Sequence, residues 1–265
     1  MTFPEQLRFW RKHKNFSQLD LALESGVSSK HISFVETGRS KPSKQMVLTL
    51  CDVLNLPLRN RNELLSAAGF ADQYKRTPIE KDEMVRLRET LDIILEKQEP
   101  YPLTVLDWDW NIIQKNKAFD WIYKTTKTQY PDLIDSLNIA ELVFAPNGFK
   151  PFLRNWEEVA ITTIRRLQFE QQESPGRHFE LLKKIKQYPG VAELELSVYL
   201  DKPTEPFIYV DFVVGDHTLK FLTTLTSFGT PIDVTASELL IESYYPADDE
   251  TREFLENEVG KRGRI

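Results

Sequence analysis

The hydrophobic rhythm of the chain changes partway along. Through residue 70 the apolar positions recur at intervals of three and four, the period of helices, in short runs broken by turn residues. "PEQLRFWRKHK" sets Leu7 and Trp10 on one side. "SQLDLALES" opens with Ser17 as an N-cap and Asp20 at the third helical position, a variant of the capping box, and Gly26 ends it. "SSKHISFVET" follows, closed by Gly38 as a C-terminal glycine closes a helix. Ser43 caps "KQMVLTLCDVL", and Gly69 ends "RNRNELLSAAG". Residues 1–70 are therefore expected to form an all-α domain of five helices. Residues 71–100 carry Val85, Leu87, Leu91, Ile94 and Leu95 among charges, between Pro78 and Pro100. That pattern predicts an amphipathic linker helix, with a dimer-forming helix as the alternative reading.

From residue 101 the period shortens. "LTVLD" and "NIIQKN" are strand-like runs on either side of Asp107–Trp110, the signature of a hairpin, and "KAFDWIYK" returns to helix. Residues 139–187 read as largely helical, with "LRNWEEVAITTIRRLQFEQQ" the longest segment. "FIYVDFVV", a turn at Gly215–Asp216, "TLKFLTTLTSF" and "ELLIESYYP" complete the pattern. In the second of these, Leu219, Phe221, Thr223 and Leu225 alternate with Lys220, Leu222, Thr224 and Thr226, the period of a strand. Residues 101–265 are expected to form an α+β domain, an antiparallel sheet of about five strands with helices on one face.

Composition adds a compartment and a division of charge. No apolar run approaches the roughly 20 residues that a membrane helix needs, and "MTFPEQLRFWRKHKN" is charged where a signal peptide is apolar. A single cysteine, Cys51, excludes an internal disulfide framework and fits a reducing compartment; the expected location is the cytoplasm. The net charge of −6 argues against a nucleic-acid partner until it is divided. The first 70 residues hold ten Lys or Arg against six Asp or Glu, a net +4, and the remainder holds 24 against 34, a net −10. A basic head on an acidic body points to two jobs.

The spacing in the head says what its job is. Counted from Gln18 as position one, Ala22 falls fifth, Gly26 ninth, Ile32 fifteenth and Val35 eighteenth. This is helix-turn-helix spacing. Ala22 must be small where the second helix crosses, and Gly26 supplies the left-handed turn. Val27, Ile32 and Val35 anchor the second helix. Gln18, Ser28, Ser29, Lys30, Ser33 and Phe34 are left for an outward face. A recognition helix enters the major groove of double-stranded DNA by its N-terminal end, where serines and lysine reach bases or phosphates. Arg39 and Lys41, in the following loop, supply charge to the backbone.

At this point the residues resemble a known family. "LRFWRKHKNFSQ" and "SGVSSKHISFVETGRSKPS" resemble the phage-repressor-like regulators of the XRE family over residues 5–69. The sequence departs from their pattern at Asn15, where a glycine is usual; asparagine tolerates positive φ, so the turn is expected to survive. In such repressors an arginine on the first helix pairs with a glutamate ending the recognition helix. The resemblance puts Arg11 and Glu36 in those structural roles. "LDWDWNIIQKNKAF", "RNWEEVA" and above all "TSFGTPIDVTASELLIESYYPAD" resemble the C-terminal domain of MmyB-like transcription regulators over about residues 100–255. The resemblance implies a PAS-like domain that senses a small apolar molecule of the fatty-acid kind.

Candidate chemistry follows from that implication. The segment before the long predicted helix is crowded with large aromatic residues, which form a core and also suit a cavity wall. Trp110, Phe144, Trp156, Ile164 and Phe212 are the expected apolar lining. Asn116 and Arg165, with Arg166 less favoured, are the expected polar partners, because a guanidinium binds a carboxylate bidentately. Nothing supports catalysis: His13, His31, His178 and His217 lack metal-ligand spacing, and no phosphate loop or nucleophile motif appears. No cofactor is implied. The expectation is a homodimeric, ligand-responsive transcription regulator. Its rival is a DNA-binding protein whose second domain only dimerises or binds a protein partner.

Overall fold

The computed structural model describes residues 1–194, 207–229 and 231–260. The chain divides into two compact units, Met1–Thr77 with Thr230–Ser237, and Pro78–Gly229 with Glu238–Ile265.

The first unit contains the helices α1 (Phe3–His13), α2 (Gln18–Ser25), α3 (Ser29–Glu36), α4 (Lys44–Val53) and α5 (Leu58–Ala67). Each boundary has a local cause. Ser17, Ser28 and Ser43 accept hydrogen bonds from the backbone N–H groups of Asp20, His31 and Met46, which caps α2, α3 and α4. Gly26 ends α2 at φ +68° and Asn15 takes φ +59°, so the asparagine does adopt the left-handed turn. Leu7, Leu21, Ile32, Val35, Leu50, Cys51 and Leu64 fill one core. Burial pushes the Cys51 thiol up to about 12, which marks it as a core residue and not a nucleophile.

A segment from much later in the chain completes this unit. The backbone N–H of Val234 donates to the carbonyl of Lys75 at 2.8 Å, and Val234 itself is buried. Thr77 donates to the Asp233 carboxylate through its hydroxyl at 2.7 Å and through its backbone N–H at 3.2 Å. Asn62, on α5, holds the intervening chain, donating to the carbonyl of Tyr74 and accepting from the N–H groups of Gln73 and Tyr74.

The second unit opens with α6 (Val85–Gln98), β1 (Leu103–Leu106), β2 (Ile112–Lys115) and α7 (Lys117–Gln129). Then come α8 (Ile139–Phe144), α9 (Trp156–Glu173), α10 (Phe179–Ile185), β3 (Ile208–Val214) and β4 (His217–Thr226). After α11 (Val234–Ser237), the turn already counted with the first unit, come β5 (Leu240–Pro246) and α12 (Asp249–Leu255). The described strands form an antiparallel sheet of order β2-β1-β5-β4-β3, the five-stranded sheet expected of a PAS-like domain. In the β1–β2 hairpin the Asp107 carboxylate accepts from the backbone N–H groups of Asp109 and Asn111 at 2.9 Å each. Trp110 sits in that turn at φ +65°.

One face of the sheet meets α7, α8, α9 and α10 around Phe119, Phe144, Phe149, Ile164, Leu167, Phe212 and Phe221. The sequence reading puts helices on one face; α6 also covers part of the other. Leu91 and Leu95 pack there on Leu103, Val105 and Ile241, so β1 is buried on both sides. Two faces of burial explain why "LTVL" is apolar without alternation.

Candidate DNA interface and ligand cavity

The geometry of the head begins with one buried ion pair. Arg11 Nε lies 2.6 Å from Glu36 Oε1 and its second guanidinium nitrogen, Nη2, lies 3.0 Å from Oε2, a bidentate pair between α1 and the end of α3. Arg11 also donates to the carbonyl of Phe16, and Arg8 donates to the carbonyl of Glu36. Burial alone would raise the Glu36 carboxyl; its hydrogen bonds from Arg11 and Gln18 outweigh that and hold it below its ordinary value. These contacts fix the angle at which α3 leaves the core.

The residues expected to meet DNA divide by what else they do. Ser29 and Lys30 are exposed at the first turn of α3, and Ser33 and Phe34 are half-buried one turn on. Lys30 Nζ stands 5.6 Å from the centre of the Phe34 ring and the Arg39 guanidinium 6.0 Å from it, so the ring gathers two cations. Backbone N–H groups of Arg39 and Ser40 donate to the carbonyl of Phe34, which folds the loop back on the helix end; Arg39 and Lys41 are exposed. Two of the expected contacts have other partners. The Gln18 side-chain amide donates to Glu36 Oε2 at 2.7 Å, and the Ser28 hydroxyl accepts the cap bond of α3. His31, exposed between Lys30 and Ile32, is a further residue of this face that the sequence reading left aside.

In the second unit a cavity of about 730 Å³, counting its open mouth, lies between the sheet and the helices. Its lining is mostly apolar with a few polar groups, the chemistry of a small-molecule site. Trp110 and Phe212 are among its walls, with Phe119, Phe149, Val159, Val210 and Phe221. The other expected lining residues are not among its walls, for separate reasons. Phe144 and Ile164 are buried in the same core as the lining residues but are not among its walls. Trp156 donates its indole N–H to the carbonyl of Val143, with Lys150 Nζ 3.6 Å above its ring. Asn116 is the N-cap of α7 and bridges to the backbone of Tyr101 and Leu103. Arg165 is half-buried on α9 outside the lining, and Arg166 pairs with Glu170 at 2.6 Å.

The sequence reading missed two acids. Glu170, buried on α9, gathers Arg166, His178 Nε2 at 2.8 Å, Arg177 at 3.0 Å and the Trp110 indole N–H at 3.1 Å. Burial opposes its ionisation, but the hydrogen bond from His178 and the charges of Arg177 and Arg166 hold it at about 2. Because Trp110 lines the cavity, this hub fixes one of its walls. Glu242, on β5, borders the cavity directly, beside Tyr244, whose hydroxyl donates to Glu242 Oε2 at 2.7 Å. Burial pushes the Glu242 carboxyl up to about 7, and the bond from Tyr244 offsets this only in part. A signal for it was present: Leu240, Glu242 and Tyr244 share one face of a strand, with an acid where a wholly packed core would place an apolar residue.

Among the described residues no helix is long and apolar enough to cross a membrane. A model of the MmyB-like transcription regulator ligand binding domain matches residues 87–257, and a helix-turn-helix model matches residues 7–59. No curated protein matches the chain. Among solved structures, an RNA-binding Light-Oxygen-Voltage Receptor aligns at 10% identity with a TM-score of 0.27. That alignment covers 98% of this chain and 63% of the receptor chain, so this chain spans less than two thirds of it. With an XRE-type helix-turn-helix at its N-terminus and the ligand-binding domain matching more than half of its length, the chain belongs to the MmyB-like transcription regulators.

Proposed function

We propose that this regulator acts in the cytoplasm as a homodimer, placing α3 of each copy in the major groove of a two-fold operator. In this reading DNA binding falls to residues 1–70 and sensing to residues 101–265, with 71–100 between them. Ser29, Lys30 and Ser33 meet base edges, while Arg39 and Lys41 meet phosphates; Gln18 and Ser28 act mainly by setting α3 in place. The observation that carries this is the first turn of α3, exposed at Ser29 and Lys30 and held by the Arg11–Glu36 pair behind it. The two-fold arrangement follows from how such helices read paired half-sites.

The cavity supports a ligand-sensing role over a purely dimerising one, because a domain needed only for contact has no use for an internal apolar chamber. An acyl chain such as that of a fatty acid suits its walls, gaining about 0.8 kcal/mol for each methylene buried. Ligand binding then biases an equilibrium between two states that differ in operator affinity.

The test is a binding series with the full chain on an operator selected from a random DNA pool. Ser29→Ala and Ser33→Ala should each weaken discrimination at individual base pairs by less than the roughly 1–3 kcal/mol of a bidentate contact. Arg39→Ala and Lys41→Ala should weaken binding to all sequences and flatten its salt dependence. Salt-insensitive binding, or no selection of any sequence, would remove this reading.

A further inference from the structure

A cavity that suits an acyl chain would ordinarily offer a cation to the carboxylate at its end. Among the described residues of this lining none is Lys, Arg or His. Arg165 lies outside it, and Arg166 is paired with Glu170. The polar side chains of the wall are Trp110, Thr163, Thr223, Glu242 and Tyr244, and the Trp110 indole N–H is already engaged with Glu170. Glu242 is the acid of this set, and its neighbours hold it without charge. The Tyr244 hydroxyl donates to its Oε2 at 2.7 Å, and Thr104, across the β1–β5 ladder and behind the lining, also hydrogen-bonds to the carboxyl. Leu225 stands opposite Glu242 on β4, α9 brings Thr163 to the lining, and α7 and α8 bring apolar side chains. Among the described residues Tyr244 is therefore the titratable group beside Glu242 in the wall.

Resting on the reading of the cavity as a fatty-acid site, we infer that Glu242 recognises the head group of the ligand as an acid: one proton is shared between its carboxyl and the ligand's carboxylate, in place of a salt bridge. Burial pushes Glu242 up to about 7, so near neutrality it still carries the proton that a free fatty acid has lost. Bringing the two together forms an O–H···O⁻ bond, one of the stronger hydrogen bonds, and leaves the pair with a single negative charge. Two ionised carboxylates at one site repel, so the complex holds its proton to higher pH than the empty cavity does. Below about pH 7 that proton is Glu242's own, and none need come from solvent. Above it Glu242 is ionised in the free protein, and each carboxylate that binds takes up one proton from water. Affinity for a carboxylate must then fall as pH rises.

The experiment titrates the full chain with decanoate by calorimetry, below its micelle-forming concentration, from pH 6.5 to pH 8.5, with 1-decanol as the uncharged comparison. The Kd for decanoate should rise roughly 25-fold across this range, the factor set by a group that loses its proton near pH 7. Proton uptake, counted from the binding heats in two buffers of different ionisation enthalpy, should approach about one per decanoate at pH 8; this count needs no variant. Decanol donates to an ionised Glu242 and accepts from a protonated one, so its affinity should change by no more than a few-fold. Glu242→Gln puts a fixed N–H donor where the proton was, and its affinity for decanoate should stay nearly level over the same range. Decanoate binding that is level in the native protein, that strengthens toward pH 8.5, or that weakens equally in Glu242→Gln overturns the inference while leaving the cavity a ligand site. Binding of neither decanoate nor decanol at any pH overturns the ligand reading of the cavity itself, and this inference with it.

Discussion

Glu170 and Glu242 are the same residue type in one unit, and their surroundings drive them in opposite directions. Glu170 has cationic and hydrogen-bonding partners and is held at about 2, so its contribution is present above the ordinary glutamate range and is lost as pH falls toward that value. Among the described residues Glu242 has no cationic partner, and burial pushes it up to about 7. The folded chain keeps that proton where an unfolded glutamate has released it near pH 4–5. Between those values the folded state binds more protons, so stability falls as pH rises, by about 3 kcal/mol in all. Thermal melts of the native protein and Glu242→Gln, compared from pH 5 to pH 8, should show the variant gaining on the native protein across this window; parallel curves would mean that Glu242 is already ionised at pH 5. The position of Glu242 on the inward face of β5 was legible from the strand's alternation, but the role of Glu170 was not. Apart from Arg166, one turn back on α9, the partners of Glu170 come from the β1–β2 turn and from Arg177 and His178 just before α10, and no spacing rule joins Trp110 to His178. Asn116 shows the reverse: "QKNKAF" is a plain N-cap pattern, and the cap is what the structure makes of it.

At the scale of elements, reading was most secure where cause and effect are local. The caps at Ser17 and Ser43, the turns at Asn15 and Gly26, and the alternation in β4 each follow from a few adjacent residues. The start of α6 at Val85 and the burial of β1 on two faces depend on what packs against them, which periodicity does not reveal. Gly26 allows a clean test of backbone strain. A Cβ there would meet nothing within 4 Å, so the cost of substitution comes from its φ of +68° and not from a clash. Gly26→Ala should destabilise the protein by about 1–2 kcal/mol, Gly26→Asn by less, and Gly26→Val by more, since asparagine alone of the three visits the left-handed region readily. Urea denaturation followed by helix signal ranks them; an asparagine variant no better than valine would point to a steric cause.

For the whole molecule, the contrast between a basic head and an acidic body was visible in the sequence, but the return of residues 233–237 to the head was not. Nothing in "PIDVTASE" marks it as part of a unit that otherwise ends at Thr77. Asp233 anchors it, and Asp233→Ala removes both bonds to Thr77. Hydrogen bonds to a charged group contribute roughly 1.5–3 kcal/mol. Hydrogen exchange over residues 58–77 should therefore quicken in the Asp233→Ala protein, while exchange in β3 and β4 stays as it was. Unchanged protection at Thr77 would mean that the segment rests on the head without supporting it.

That return also sets an order of events during synthesis. The helices of the head leave the ribosome before the second unit, yet the piece that buries Val234 and engages Thr77 is made only after the intervening stretch 78–229. At about 5–20 residues per second the wait is roughly 10–30 s. The DNA-binding unit is begun before residues 78–229 and completed only after them, so a chain cut short within that stretch carries recognisable helices without the completed head.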